Sequence, residues 1–99
     1  GHSLGGAAAW KAASERHSAV RAATVIAPAV NAPASSAFPA TLIVGAEADL
    51  VIPITRVRVT YEQASAAGAA VEFSLAEGWG HTLVVGARLD DVVRWLFRH

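Results

Sequence analysis

The stretch Gly1-His2-Ser3-Leu4-Gly5-Gly6 decides the fold, because it fits the pattern Gly-x-Ser-x-Gly. This pattern is typical of a serine that lies on a sharp turn between a strand and a helix. The glycines on either side of Ser3 are expected to be required, since a side chain at either place would crowd the turn. A flexible loop, or a helix that starts with Ser3 as its N-cap, is the alternative interpretation.

Length and composition limit the classes of function that the rest of the chain can have. The 99 residues allow a single domain, and 54% hydrophobic with 16% charged residues is typical of a globular chain. The formal net charge of zero argues against nucleic acid or an anionic membrane as a partner. The chain has no cysteine, which excludes disulfides and thiolate chemistry, and it has no apolar run of the roughly 18 to 20 residues that a membrane span needs. Compartment and oligomeric state stay open.

Hydrophobic patterns predict strands that alternate with helices along the chain. Short apolar runs predict strands over residues 22–26, 40–44 and 71–75, and Gly45 is expected to end the second of them. Helices are predicted over residues 4–16, 54–67 and about 87–98, and the proline-containing residues 27–39 are predicted to be a loop. In the last helix, four apolar side chains at helical spacing are expected to face the core: Leu89, Val92, Val93 and Leu96.

This order of elements predicts an α/β fold. Strands that alternate with helices pair in parallel through right-handed crossovers, which gives a three-layer α/β/α sandwich. The outer edge of the first strand would be unpaired, and an open edge of this kind leaves backbone groups available to other chains. We therefore expect more sheet upstream, and interpret residues 1–99 as one partial domain that starts at the serine turn.

A serine, an aspartate and a histidine each follow a strand in this interpretation. Ser3 follows a strand expected upstream of the chain, Asp49 follows the second predicted strand and His81 follows the third. Because the carboxyl ends of parallel strands meet at one edge of a sheet, we expect the three side chains to lie close together. A serine hydroxyl needs a base within hydrogen-bond reach, which His81 would supply. Asp49 would orient that imidazole and stabilise its protonated form.

Alternatives are open at several of these positions. Asp49 is also interpretable as a solvated turn residue or a helix cap, in which case Glu47 is the substitute acid, and His81 as a structural turn residue. His2 adjoins the serine and is predicted to serve packing or hydrogen bonding. Two further histidines are expected at the surface: His17 and His99.

Four stretches together carry a resemblance to a known superfamily: residues 1–6, the strand Pro-Ala-Thr-Leu-Ile-Val-Gly-Ala over residues 39–46, Asp49 with Pro53 four places on, and Gly-His-Thr over residues 80–82. With them the chain resembles the C-terminal half of an α/β-hydrolase over nearly all of its length. Within that superfamily the stretches are similar to the dienelactone-hydrolase-like and bacterial cutinase, or polyester hydrolase, group. Two features depart from the polyester hydrolases. Ala29 stands where they usually carry a tryptophan, and the chain has no cysteine for the disulfide that they often have near the C-terminus.

The resemblance implies Ser3 as nucleophile, Asp49 as acid, His81 as base, and the backbone N–H of Leu4 as one donor to the oxyanion. The second oxyanion donor would come from a loop upstream of the chain. The expected activity is hydrolysis of a small or polymeric carboxylic ester through an acyl-enzyme, without metal or organic cofactor. Trp79 is a candidate residue of the wall of the substrate-binding site. The alternatives are hydrolysis of a thioester, lactone or peptide, a non-catalytic module of the same fold, and a chain that is inactive on its own.

Overall fold

The computed structural model describes residues 1–15, 19–28 and 35–99. Within these residues, helices and strands follow one another in this order: α1 (Leu4–Glu15), β1 (Ala22–Ile26), β2 (Ala40–Ala46), α2 (Ile54–Ala66), β3 (Val71–Ala76) and α3 (Val84–Arg98). The predicted positions Arg16, His17 and Ala29, and residues 30–34 of the predicted loop, lie outside the described residues.

The strands form one parallel sheet in the order β1-β2-β3. Ala22 lies opposite Ala40 in the first pair of strands, and Thr41 lies opposite Val71 in the second. The first residues of the chain lie along the outer edge of β1, where His2 makes a parallel bridge with Ile26. The predicted α/β fold with a parallel sheet is therefore confirmed.

Helices cover the sheet on both faces. The helices α1 and α2 pack on one face, in a core that includes Trp10, Val25 and Ile43. The helix α3 packs on the other face, against a core that includes Val44 and Trp95. Because both faces of β2 are covered, its residues from 41 to 46 are all buried, which explains why the strand is apolar almost throughout.

Two predicted boundaries need correction. The strand β2 continues through Gly45 to Ala46, so the prediction that Gly45 ends it is wrong. A Cβ atom on Gly45 would collide with the end of the Ile54 side chain, so this glycine allows α2 to pack closely on the strand. The helix α3 begins at Val84, three residues before the predicted start at residue 87.

The orientation of α3 also differs from the prediction. Its buried residues are Val84, Val92 and Trp95, whereas three of the four side chains expected in the core are exposed: Leu89, Val93 and Leu96. Successive residues of a helix are rotated by about 100°, so the buried and exposed sets form neighbouring rows, and both rows are apolar. The hydrogen bond from the Trp95 indole N–H to Glu72 on β3 fixes which row faces the sheet.

An apolar groove of about 310 Å³ follows the outer edge of β1. Side chains from both helical layers line it, among them Ala9 and Ala12 of α1 and Leu96 of α3. Among the described residues, no helix is long and apolar enough to cross a membrane.

Candidate active site

Ser3 lies on a strained turn between the strand-like first residues and α1. Its φ angle is 55°, in the left-handed region that a residue with a Cβ atom rarely adopts, at a cost of roughly 1 to 3 kcal/mol. Backbone hydrogen bonds hold the turn in place: the Ser3 N–H donates to the Ile26 carbonyl at 2.9 Å, and the Ala7 N–H donates to the Ser3 carbonyl at 3.0 Å. The helix α1 begins directly afterwards, at Leu4. The structure therefore has the strand-to-helix turn that the glycine-serine pattern predicts.

The glycines around Ser3 differ in what they contribute. A Cβ atom on Gly1 would overlap the backbone carbonyl of Gly5, so no other residue fits at this position without a shift. A Cβ atom on Gly6 would lie 3.2 Å from the ring of Pro28, which makes that position tight. At Gly5 a Cβ atom would meet no heavy atom within 4 Å. The prediction that both flanking glycines are sterically required is therefore right for Gly1 and wrong for Gly5.

Asp49 follows the carboxyl end of β2, and its side chain is fully buried. Its Oδ1 atom accepts hydrogen bonds from the N–H groups of Val51 at 2.7 Å and Ile52 at 2.8 Å, and its Oδ2 atom lies 2.7 Å from Nδ1 of His81. Burial by itself raises the pKa of Asp49, but the hydrogen bonds from His81, Ile52 and Val51 outweigh it and hold the pKa below its ordinary value. The buried carboxylate is therefore charged at neutral pH.

His81 lies in the loop after β3, with 14% of its side chain exposed. A carboxylate oxygen can only accept a hydrogen bond, so Nδ1 of His81 carries the hydrogen in the contact with Asp49. In the neutral ring Nε2 is then the atom with a free lone pair. The pair thus has the arrangement of a base held in one tautomer by a buried carboxylate.

The loops that carry the pair are joined to each other along the backbone. The Glu47 N–H donates to the Ala76 carbonyl at 3.0 Å, and the Ala48 N–H donates to the Trp79 carbonyl at 3.0 Å. The exposed Glu47 carboxylate accepts a hydrogen bond from the Gly78 N–H at 3.3 Å. Glu47 therefore contacts the loop that carries the histidine, whereas the histidine ring itself pairs with Asp49.

The serine turn meets the histidine loop through His2. The Nε2 atom of His2 lies 2.5 Å from the backbone carbonyl oxygen of His81, and the centroids of the two imidazole rings are 4.6 Å apart. The structure thus brings Asp49 and His81 into direct contact, and Ser3 directly follows His2, which contacts the backbone of His81. Within the described part of the chain, no hydrogen bond joins the Ser3 hydroxyl to His81. Such bonds are often long or poorly aligned when no substrate is bound.

His2 is predicted to serve packing or hydrogen bonding, and it does both, but the sequence does not identify His81 as its partner. The only signal in the sequence is a second titratable ring directly before the serine. Among the described residues, His99 is the other histidine predicted at the surface; it is exposed, and its ring stacks on Trp95 with centroids 4.1 Å apart.

Exposed apolar side chains come next to each predicted site residue in the chain. Leu4 follows the serine and is 78% exposed, Leu50 follows Asp49 and is 96% exposed, and Trp79 precedes His81 by two positions and is 42% exposed. The backbone N–H of Leu4 belongs to the first turn of α1, where amide groups have no acceptor inside the helix. Among the described residues, no cluster of histidine, cysteine, aspartate or glutamate side chains could hold a metal ion.

The fold is that of the α/β-hydrolases. The chain is similar to the crystal structure of esterase PE8, with a TM-score of 0.75 and 18% identity over 99% of this chain and 47% of that one. It is also similar to a variant of SOBER1 from Arabidopsis thaliana, with a TM-score of 0.73 and 20% identity over 99% of this chain and 50% of that one. The chain therefore spans about half the length of either structure. No protein-family model matches it, and no curated protein matches it by sequence.

Proposed function

We propose that the protein to which these residues belong is a serine hydrolase of carboxylic esters, with Ser3, His81 and Asp49 as its catalytic triad. The observation that carries the proposal is the buried Asp49 carboxylate at 2.7 Å from His81, whose backbone carbonyl accepts a hydrogen bond from His2, the residue before a serine on a strained strand-to-helix turn. A structural histidine in a turn has no need of a buried, charged partner, because burying a carboxylate costs free energy unless it is well hydrogen-bonded.

Each residue has a role that follows from its position. The Ser3 hydroxyl attacks the ester carbonyl carbon while Nε2 of His81 takes the hydroxyl proton. Asp49 holds the imidazole in the required tautomer and stabilises the imidazolium that forms. His81 then gives the proton to the leaving alcohol, and Ser3 remains as the acyl-enzyme. Water next attacks the acyl carbonyl carbon while Nε2 of His81 takes its proton, and His81 returns a proton to the Ser3 oxygen as the carboxylic acid leaves.

Backbone groups at the start of α1 are the proposed stabilisers of the oxyanion. The Leu4 N–H has no acceptor in the helix, and the N-terminal end of a helix carries partial positive charge, which favours a developing negative charge. A hole with one donor is incomplete, since removal of a single donor typically costs about 10²- to 10³-fold in rate. We propose that residues 1–99 form a partial domain and that the second donor belongs to a loop after an earlier strand of the sheet.

The substrate class is proposed from the surface next to the triad. The exposed side chains of Leu4, Leu50 and Trp79 favour an ester with an apolar acyl or alcohol group over a strongly charged one. The similarity to a structure named as an esterase supports esters ahead of thioesters, lactones or peptides. Membership of the dienelactone-hydrolase-like or cutinase group stays a prediction from the sequence motifs.

The test is hydrolysis of p-nitrophenyl acetate and p-nitrophenyl butyrate by the full-length protein, its Ser3→Ala variant and a control variant, Ser65→Ala. Ser65 is an exposed serine on α2, so its loss is expected to leave the rate unchanged. Loss of the nucleophile of a triad costs up to roughly 10⁶-fold, so Ser3→Ala is expected to fall to the background rate. Full activity of a folded Ser3→Ala variant would refute the nucleophile, and a wild type that cleaves no ester would favour the non-catalytic module.

A further inference from the structure

His2 connects the serine turn to the histidine loop by direct contact. Its backbone is paired with β1 through the bridge to Ile26, and its side chain is half-buried. Its Nε2 atom lies 2.5 Å from the His81 carbonyl oxygen. A carbonyl oxygen can only accept, so Nε2 of His2 carries the hydrogen and donates it. His81 is thus held at its ring by Asp49 and at its backbone by His2.

These contacts have different geometric consequences. The bond from Asp49 and the bonds between the adjoining loops connect His81 to the end of β2. The pairing of the strands relates the serine turn to β2 and β3, since the Ser3 N–H donates to the Ile26 carbonyl of β1. His2 precedes Ser3 directly in the chain and donates to the backbone of His81, so this contact is a direct side-chain link between the serine turn and the loop that carries the imidazole.

We propose that His2 is a positioning residue, which holds the His81 imidazole at the reacting distance from Ser3 through its hydrogen bond to the His81 carbonyl oxygen; the inference rests on the serine-hydrolase function proposed above. A misplacement of about 1 Å in reacting groups can cost about 10²-fold in rate, even when the groups themselves are unchanged. His2 thus affects turnover without contact with the reacting atoms.

Variants of His2 separate the hydrogen bond from the ring contact. His2→Gln keeps an N–H donor at about the distance of Nε2 and removes the ring, whereas His2→Phe keeps a ring and removes the donor. We expect His2→Phe to lower kcat for p-nitrophenyl acetate by about 10- to 10²-fold with KM changed by less than about threefold, and His2→Gln to recover most of that loss. His99→Phe is the matched control, because His99 is an exposed histidine on the far end of α3, and it is expected to behave as wild type.

A spectroscopic readout accompanies the kinetics. Long-range ¹⁵N–¹H correlation spectra of the imidazoles are expected to show His2 as the Nε2–H tautomer and His81 as the Nδ1–H tautomer, and His2→Phe is expected to retain the second signal. Equal kcat for His2→Phe and wild type, equal losses for the Phe and Gln variants, or an Nδ1–H tautomer at His2 would each overturn the inference. The Ser3→Ala variant is measured alongside. If wild type shows no hydrolysis that depends on Ser3, the proposed function fails and the inference about His2 fails with it. If such hydrolysis is present, the His2 variants test the inference alone.

Discussion

The loops after β2 and β3 form a closed corner of the molecule, whereas the outer edge of β1 is open. At the closed corner, residues 47–52 and 76–81, backbone bonds join the loops and the Asp49 carboxylate has three hydrogen-bond partners and no exposed side-chain surface. At the open edge, the described residues that lie outward of the strand are residues 1–3, beside an apolar groove of about 310 Å³. The comparison teaches that Asp49 and His81 are positioned by contacts within residues 47–52 and 76–81, whereas Ser3 is positioned by the turn at the edge of β1.

The exposed face of α3 belongs to the open side of this comparison. Leu96 lines the groove and is 40% exposed, and Phe97 is 87% exposed. Their neighbour Trp95 is 6% exposed and donates its indole N–H to Glu72 of β3. Adjacent residues of one helix therefore have opposite environments, which makes them a direct probe of the difference between the two sides.

The largest expected effect comes from breaking the closed corner at Asp49. We expect Asp49→Asn to lower kcat for p-nitrophenyl acetate by roughly 10⁴-fold, because the amide no longer holds His81 in the required tautomer. Glu47→Gln is the matched control, since its exposed carboxylate accepts a hydrogen bond from the Gly78 N–H and none from His81, and it is expected to change kcat by less than about threefold. A large loss of activity in Glu47→Gln together with an active Asp49→Asn would show that the acid is Glu47 and not Asp49.

The next effect is on stability and compares the two sides of α3. Trp95→Ala removes a large buried side chain and is expected to lower the free energy of unfolding by about 3 to 5 kcal/mol. Phe97→Ala, an aromatic truncation two positions on, is expected to stay within about 0.5 kcal/mol of wild type. Urea unfolding followed by circular dichroism measures both changes. Equal losses in the two variants would show that Phe97 is covered in solution.

Strain at the serine turn predicts a smaller difference in stability between two variants of Ser3. Ser3→Gly and Ser3→Ala both remove the hydroxyl, but only glycine adopts a φ angle of 55° without steric cost. We expect the Gly variant to be more stable than the Ala variant by about 1 kcal/mol, with both inactive. Urea unfolding again gives the difference. Identical stabilities would mean that the turn relaxes when the hydroxyl is lost.

The smallest expected effect concerns pH. The pKa of Asp49 in the folded protein is lowered from its ordinary value of 3.8, so the ionised carboxylate contributes stability that is fully present above that value. This contribution is lost as the pH falls through 3.8 toward the lower pKa of the folded state. We expect the unfolding free energy of wild type to drop more steeply than that of Asp49→Asn below about pH 4. If the unfolding free energies of the two proteins changed in parallel between pH 3 and 7, the lowered pKa of Asp49 in the folded protein would be contradicted.

Much of the fold was predictable because hydrophobic patterns report burial directly. A strand covered on both faces is apolar throughout, as β2 is, and the order of elements then requires parallel pairing. The contact between Asp49 and His81 was predictable for the same reason, since each follows a strand and the strands are neighbours in the sheet. The catalytic roles of these residues stay predictions.

The remaining features depend on tertiary contacts that periodicity does not report. Two neighbouring rows of α3 are apolar, so the pattern did not determine that Trp95 rather than Leu89 or Leu96 faces the sheet. Glycine generally disfavours a strand, yet in β2 Gly45 leaves room for the Ile54 side chain. The bond between His2 and His81 joins residues 79 positions apart in the chain, and no local rule predicts it.

Covalent labelling tests the central claim most directly. The full-length protein is treated with a fluorophosphonate probe, digested, and the labelled peptide is mapped by mass spectrometry, with Ser3→Ala and Ser65→Ala treated alongside. We predict a single label on Ser3 in wild type and in Ser65→Ala, and none in Ser3→Ala, because Ser3 directly follows His2, which donates to the backbone of the histidine paired with Asp49. A folded wild type that takes no label, or takes it on another serine, would contradict the account.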